Sequence, residues 1–315
     1  MMISEKKSLM KRVLVIIAVI ILVSAACLLT TKLVYDGIFH RYDVVAQIPE
    51  QLAPVVAGRQ VQTYLSGENR LTGYLYRCPE ATGRDALVIL APGFHAGADD
   101  YLWQISSLLD RGWSVFAYDG TGSCRSEGES TVGFPQSVLD LEATLKYVEN
   151  CQRFGYNSIV VLGHSQGGYA ACCSLDRFPQ ISAVVTVSGV NSAMEGVMGP
   201  AAEYVGPLAY GNYGFLWLYQ AMLFGTRTVD LEAAEEISDS DVPVLVIHGA
   251  DDEQIPADRL SILSHRDEID PEGVTYILWD KPGESGHTDL LFSPEGTANE
   301  ELMEQIHGFL SECVN

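Results

Sequence analysis

The stretch SIVVLGHSQG, residues 158–167, decides the fold. An apolar run typical of a strand leads into a G-x-S-x-G turn, and a helical pattern follows it. Small residues in such a turn permit a sharp, strained backbone that lifts the serine hydroxyl above a sheet, and the helix behind it presents free N–H groups. Ser165 is therefore the candidate nucleophile. A chance match is the alternative, and the flanking strand and helix patterns disfavour it.

Short apolar runs alternate with amphipathic segments from residue 85 onward, which predicts βαβ units and a mainly parallel sheet. The strand-like runs lie at 86–92, 113–119, 158–165, 181–189, 243–249 and 274–280. Helices are predicted at about 100–109, 137–151, 167–177, 257–264 and 299–310. Two earlier runs, Gln60 to Leu65 and Leu71 to Arg77, predict an antiparallel start to the sheet.

One interval, about residues 190–238, is far longer than the roughly 2 to 6 residues of an ordinary connection in such units. It is rich in large apolar side chains such as Met198, Tyr213, Phe215 and Trp217. We expect a helical cap inserted over a substrate pocket, because its inner face must exclude water. The core of a small helical subdomain is a compatible alternative.

The N-terminal segment, residues 1–35, is predicted to be a membrane anchor or signal segment. Its uncharged stretch, Val13 to Thr31, is long enough at about 1.5 Å per residue to cross a hydrocarbon core of roughly 30 Å. Basic residues before it, Lys6, Lys7, Lys11 and Arg12, favour a cytoplasmic N-terminus. The catalytic domain, residues 36–315, would then be extracytoplasmic, with a connector from Lys32 to about Arg59. Cleavage near Ser24 to Ala26, releasing a secreted protein, is the alternative.

Composition excludes some classes of function. A formal net charge of -22 would repel a nucleic acid backbone, so nucleic acid is not expected as a partner. Hydrophobic residues make up 47% of the 315 positions, which is enough for a sizeable core. The seven cysteines show no CxxC pair, and a zinc site is not predicted.

Four further stretches occur in an order that resembles one large family. They are APGFHAG at 91–97, DGTGSCRSEG at 119–128, IHGADDEQIP at 247–256 and SGHTD at 285–289. Together with GHSQGG, they make the chain resemble the α/β-hydrolase superfamily, most closely its serine-aminopeptidase-like and monoacylglycerol-lipase-like esterases. The resemblance covers roughly Gly73 to Leu310 and implies an α/β-hydrolase fold, with a mostly parallel sheet flanked by helices, a cap insertion and the transmembrane helix before it.

A serine hydroxyl needs a base that works near neutral pH, and histidine is the natural one. His287 follows the last predicted strand in a glycine-containing loop, whereas His164 and His248 lie inside motifs that favour structural roles. The carboxylate that orients the base is Asp252 by its place in the matched segment, and Asp251 is then a solvated turn residue. The order Ser165, Asp252, His287 is the one that the resemblance implies.

The resemblance also assigns the oxyanion hole to the backbone N–H groups of Gln166 and Phe94, although Pro92 departs from the family pattern at that loop. No metal or organic cofactor is required. We expect a serine hydrolase acting on carboxylic esters, with a small ester or acyl compound as its partner. A serine aminopeptidase, a thioesterase and a catalytically silent binding protein on the same scaffold are the alternatives.

Overall fold

The computed structural model describes residues 2–78, 83–151, 154–270 and 272–314. Its first element is one long helix, α1 (Met2–Ile38). The part from Leu9 to Ile38 has the length and composition of a membrane span, and its most apolar stretch of 18 residues has a mean hydropathy of 3.1. The prediction that a connector starts at Lys32 is wrong for residues 32–38. The helix continues to Ile38, and its last part packs against the rest of the protein.

A single eight-stranded sheet forms the centre, in the order β1-β2-β4-β3-β5-β6-β7-β8. The strands are β1 (Gln60–Ser66), β2 (Asn69–Tyr76), β3 (Ala86–Ala91), β4 (Ser114–Asp119), β5 (Ser158–His164), β6 (Ile181–Val187), β7 (Val244–Gly249) and β8 (Val274–Trp279). The pairs β1–β2 and β2–β4 are antiparallel, and the remaining pairs are parallel. The predicted antiparallel start and the mainly parallel sheet are therefore confirmed.

Helices cover both faces of this sheet and also form most of the long interval between β6 and β7. They are α2 (Ala53–Gly58), α3 (Leu102–Asp110), α4 (Phe134–Asn150), α5 (Gln166–Cys172), α6 (Ala193–Val205), α7 (Tyr213–Phe224), α8 (Thr226–Val229), α9 (Ala233–Ser238) and α10 (Glu300–Cys313). The long interval 190–238 is thus helical, as expected.

The helix predicted at 257–264 is wrong. Only a 3₁₀ turn, Ile262–His265, forms there. The backbone before it pairs instead with the segment after β6, where the Asn191 N–H donates to Leu260 O at 3.0 Å and the Ile262 N–H donates to Gly189 O at 3.1 Å. These bonds take groups that a helix would need, so tertiary pairing overrides the local pattern.

Alternate residues of the central strands point to opposite faces and are buried on both. Leu87 and Ile89 of β3 face the layer of α4 and α5, whereas Val88 and Leu90 face α3 and α10. Burial on both faces explains the continuous apolar runs in the sequence. It also makes the sheet a rigid base for the loops that leave its carboxyl ends.

Leu87→Ala tests this core against Leu65→Ala on the exposed edge strand. Leu87 is fully buried and Leu65 is 60% exposed. The cavity should lower the free energy of unfolding by about 2–5 kcal/mol for Leu87→Ala, and the surface change should stay within about 0.5 kcal/mol. Urea unfolding of the detergent-solubilised protein measures both, and equal losses would contradict this packing.

Candidate active site

Ser165 occupies the turn between β5 and α5 with φ 53° and ψ −118°, a conformation that a residue with a side chain rarely adopts. The glycines around it are required for space. A Cβ on Gly163 would overlap the Gly167 carbonyl, and a Cβ on Gly167 would overlap the Ala91 carbonyl. The motif therefore does what the sequence predicts, holding the serine at the carboxyl edge of the sheet.

The three side chains singled out from the sequence meet at this edge. His287 Nε2 lies 2.9 Å from Ser165 Oγ, and His287 Nδ1 lies 2.7 Å from Asp252 Oδ2. All three residues are buried. Asp252 follows β7 and His287 follows β8, so neighbouring parallel strands deliver the groups to one place.

Asp252 is held by several donors. Its Oδ1 accepts the N–H groups of Gln254 at 3.0 Å and Ile255 at 2.8 Å, while Oδ2 lies 3.1 Å from His248 Nε2. Burial alone would raise the pKa of Asp252, but the hydrogen bonds from His248 and His287 outweigh it and hold that pKa below its ordinary value. The carboxylate is therefore an ionised, fixed acceptor for the imidazole.

Asp251 stands beside this group without entering it. Its side chain is exposed and accepts a hydrogen bond from Ser285, and its N–H donates to Ser285 O at 3.0 Å. Asp251 is therefore solvent-exposed, as expected for a turn residue. Its contacts with the His287 loop add a role in supporting that loop.

A buried hydrogen-bond chain links the Ser165 turn to two other loops. The Gly93 N–H donates to Tyr101 Oη at 2.9 Å, Tyr101 Oη lies 2.9 Å from His164 Nδ1, and His164 Nε2 lies 3.0 Å from His287 O. Burial, together with the nearby His287, lowers the pKa of His164 to about 3. A neutral His164 that accepts from Tyr101 and donates to His287 O satisfies every group in the chain.

The two predicted oxyanion donors flank Ser165. Gln166 is the first residue of α5, and Phe94 follows Gly93, whose Cβ, if present, would lie 3.3 Å from Ser165 Cβ. Within the described part of the chain, no protein acceptor is found for the N–H of Phe94 or Gln166. Both N–H groups therefore lack a partner among the described residues that would compete with a ligand.

The site opens into a cavity of about 1220 Å³. Ser165 and His287 lie in its wall together with residues of α6 such as Val197 and Met198. The mostly apolar lining suits a substrate with a sizeable hydrophobic part. Across the described residues, no cluster of three or more His, Cys, Asp or Glu side chains is arranged to hold a metal ion.

Sequence reasoning missed two parts of this site. Tyr101 lies in a predicted helix, and nothing in the local pattern marks its hydroxyl as a partner of His164. The cavity is also lined by the end of α1, which was expected to be only an anchor. Its signal was present in the sequence, since Cys27, Thr31 and Tyr35 recur every fourth residue along one helix face.

Comparisons with known proteins match this architecture. A family model described as "alpha/beta hydrolase fold" matches residues 86–229. A proline iminopeptidase of Saccharolobus solfataricus is 29% identical over 121 residues, which make up 37% of this chain and 37% of that protein. The match therefore spans little more than a third of the length of this relative.

Solved structures give wider coverage at lower identity. An esterase of Pyrococcus furiosus has a TM-score of 0.66 and 19% identity, covering 88% of this chain and 99% of its own. A membrane phospholipase A, described as a bacterial virulence factor, has a TM-score of 0.55 and 16% identity, covering 98% of this chain and 99% of its own. At these identities the likeness shows the fold alone.

The low pKa of His164 predicts an acid sensitivity of folding. Between about pH 6.5 and 3 the unfolded chain protonates this histidine and the folded chain does not, so the free energy of unfolding falls as the pH falls. From pH 7 to pH 5 the loss from this group should be about 2 kcal/mol.

His164→Gln should remove that part of the pH dependence, whereas His40→Gln, at an exposed position, should leave the contribution of His164 in place. Urea unfolding at the two pH values measures the difference. An unchanged pH dependence in His164→Gln would show that His164 is not buried in its neutral form.

Proposed function

This chain has the fold of the α/β-hydrolase superfamily, and on that premise we propose that it is a serine hydrolase that cleaves carboxylic esters. The observation that carries the proposal is the unbroken line from Ser165 Oγ through the His287 ring to Asp252, at 2.9 and 2.7 Å. The scaffold alone needs no such line of three buried polar side chains, two of which line an apolar cavity.

In the proposed reaction, His287 Nε2 removes the proton from Ser165 Oγ as the oxygen attacks the ester carbonyl carbon. The carbonyl becomes an oxyanion, which collapses to an acyl-enzyme and expels the alcohol with the proton held by His287. A water molecule then attacks the acyl carbon with His287 as base, and the acid leaves as Ser165 regains its proton.

Asp252 supports the two protonation states of the ring. Its low pKa keeps it ionised, so it accepts a hydrogen bond from the Nδ1–H group and stabilises the imidazolium that forms during each step. The tautomer with the free electron pair on Nε2 then faces Ser165. Asp252 needs no proton of its own.

The oxyanion would be met by the N–H groups of Phe94 and Gln166. A donor that is already fixed in place costs no reorganisation during the reaction, which is why such groups contribute strongly. The proposed cap, about residues 190–238, excludes water above them with the apolar faces of α6 and α7.

Ester cleavage is favoured over aminopeptidase activity by the acidic residues of the cap. An aminopeptidase needs a group that binds the substrate amino group, and a carboxylate of the cap could do so, but Glu195 lies 3.3 Å from His265 and Glu203 lies 2.9 Å from Arg259. Neither of them lines the cavity. The thioesterase alternative uses the same acyl-enzyme chemistry, and a panel of esters, thioesters and aminoacyl amides separates the three activities.

We also propose that α1 anchors the protein in a membrane with the hydrolase domain extracytoplasmic, because basic residues precede the apolar helix. Removal of the segment, with secretion of the domain, is the alternative. Electrophoretic mobility and the N-terminal sequence of the protein in its native membrane distinguish the two.

Ser165→Ala should reduce kcat by about a millionfold, because the nucleophile of a serine hydrolase is removed. The same variant should lose covalent labelling by a fluorophosphonate probe. Ser174→Ala is the matched control, since Ser174 lies beyond α5 and its hydroxyl donates to Ala170 O at 2.8 Å. Failure of the wild-type protein to label, under conditions where a known esterase labels, would favour the silent binding protein.

Asp252→Asn should lower kcat by about ten-thousandfold, because the amide favours the wrong imidazole tautomer. The neighbouring Asp251→Asn keeps an acceptor for Ser285 and should cause a far smaller loss. Hydrolysis of p-nitrophenyl butyrate measures both variants. Equal losses of kcat in the two variants would show that the carboxylate role does not belong to Asp252 alone.

A further inference from the structure

We propose that the end of α1, residues 26–39, is the acyl-chain wall of the pocket, and that the substrate is a long-chain lipid ester that reaches Ser165 from the bilayer along this helix. The inference rests on the proposed hydrolase function and specifies its substrate and route. It starts from the residues that line the cavity beside Ser165.

One face of α1 lines the same cavity as the serine over about three turns. The residues of this face are Ala26, Cys27, Thr30, Thr31, Val34, Tyr35 and Ile38. They recur at spacings of three and four, so they form one stripe about 18 Å long at 1.5 Å per residue. A stripe of this length suits an extended acyl chain better than a short acyl group.

The helix is docked against the cap through polar contacts as well as apolar ones. Tyr219 of α7 donates from its hydroxyl to Asp36 Oδ1 at 2.6 Å, and Asn212 donates to Thr31 Oγ1 at 2.8 Å. Tyr35 is buried and its ring lies 5.4 Å from the Tyr219 ring. These contacts fix the wall relative to the helices that cover the serine.

The last residue of the wall also contacts the oxyanion loop. Phe39 is buried, its ring lies 5.2 Å from the Phe94 ring and 6.0 Å from the Phe134 ring, and its carbonyl accepts the Thr131 N–H at 2.9 Å. The following Arg41 donates to the carbonyls of Ser126 and Gly128. The end of α1 is therefore part of the site and not a flexible tether.

The surface beside the wall fits a membrane. The helix α7 is apolar nearly all round, yet among its residues only Leu216, Tyr219 and Gln220 are buried. Leu218, Met222 and Leu223 stay exposed next to α1, and a helix of this composition requires an apolar environment on that face. The aromatic residues Tyr213 and Trp217 are of the types enriched at membrane interfaces.

The two ends of α1 thus connect the hydrocarbon of a bilayer to the cavity beside the serine. Residues 9–22 expose large apolar side chains that a bilayer would cover, and the same helix runs on into the cavity. An acyl chain that crosses water exposes its apolar surface, which is unfavourable. A continuous apolar path along the helix avoids this exposure and selects esters that already reside in the membrane.

Val34→Trp and Leu33→Trp test the wall in the full chain. Val34 lines the cavity and Leu33 does not, while both are exposed residues of α1, at 57% and 64%. Turnover of p-nitrophenyl palmitate and p-nitrophenyl butyrate is measured in mixed micelles. The bulky ring in the wall should lower the ratio of palmitate to butyrate turnover by ~10-fold or more. Leu33→Trp should keep the wild-type ratio.

An unchanged ratio in Val34→Trp, or an equal fall in both variants, would overturn the acyl-chain wall. Fluorophosphonate labelling of both variants reports whether Ser165 is intact. If the wild-type protein is not labelled by the probe and hydrolyses neither ester, the proposed hydrolase function itself is contradicted, together with this inference. A wild-type protein that hydrolyses butyrate but not palmitate keeps the proposed function and removes the lipid substrate.

The route is tested by reconstitution into phosphatidylcholine vesicles. The palmitate ester is placed either in the vesicles that carry the protein or in separate vesicles. Delivery within the bilayer predicts fast hydrolysis in the first arrangement and at least ~10-fold slower hydrolysis in the second, because apolar chains leave a bilayer reluctantly. Equal rates would show that the substrate arrives through water.

Discussion

The strained backbone of Ser165 is the constraint on which the rest of the site depends. A positive φ at a residue with a side chain is unfavourable, and it persists only where the surroundings determine it. Here the surroundings are β5 before it, α5 after it and glycines that let the Ala91 and Gly167 carbonyls approach. The strain places the hydroxyl 2.9 Å from His287 Nε2, and the remaining geometry follows from that position.

Hydrogen bonds among buried residues then make the three loops one unit. His164, directly before the serine, connects Tyr101 and the Gly93 loop on one side with the His287 carbonyl on the other. Because His164 is neutral when buried, it can accept from one partner and donate to the other. The proposed nucleophile, base and oxyanion loop are therefore positioned by a single imidazole that would itself take no part in the reaction.

Much of this could be predicted from sequence, because it depends on local patterns. The apolar runs predicted the sheet, and the motif order predicted that Ser165, Asp252 and His287 would converge. The contacts of Tyr101 could not be predicted, since they join segments that are far apart in sequence. The prediction of a helix at 257–264 was wrong for the same reason. Leu260 and Ile262 form hydrogen bonds with the segment after β6, which is far away in sequence. The lining of the cavity by α1 was missed because the high hydropathy of the helix indicates a membrane span, although the spacing of Cys27, Thr31 and Tyr35 also marks one helix face.

The docking of α1 ties the integrity of the cavity to the first forty residues of the chain. Without this helix the sheet and the Ser165 turn would keep their contacts, but one side of the cavity would be missing. The proposed activity would then depend on a helix that contributes none of the three side chains of the proposed reaction. Membrane attachment and a complete cavity would be two properties of the same helix.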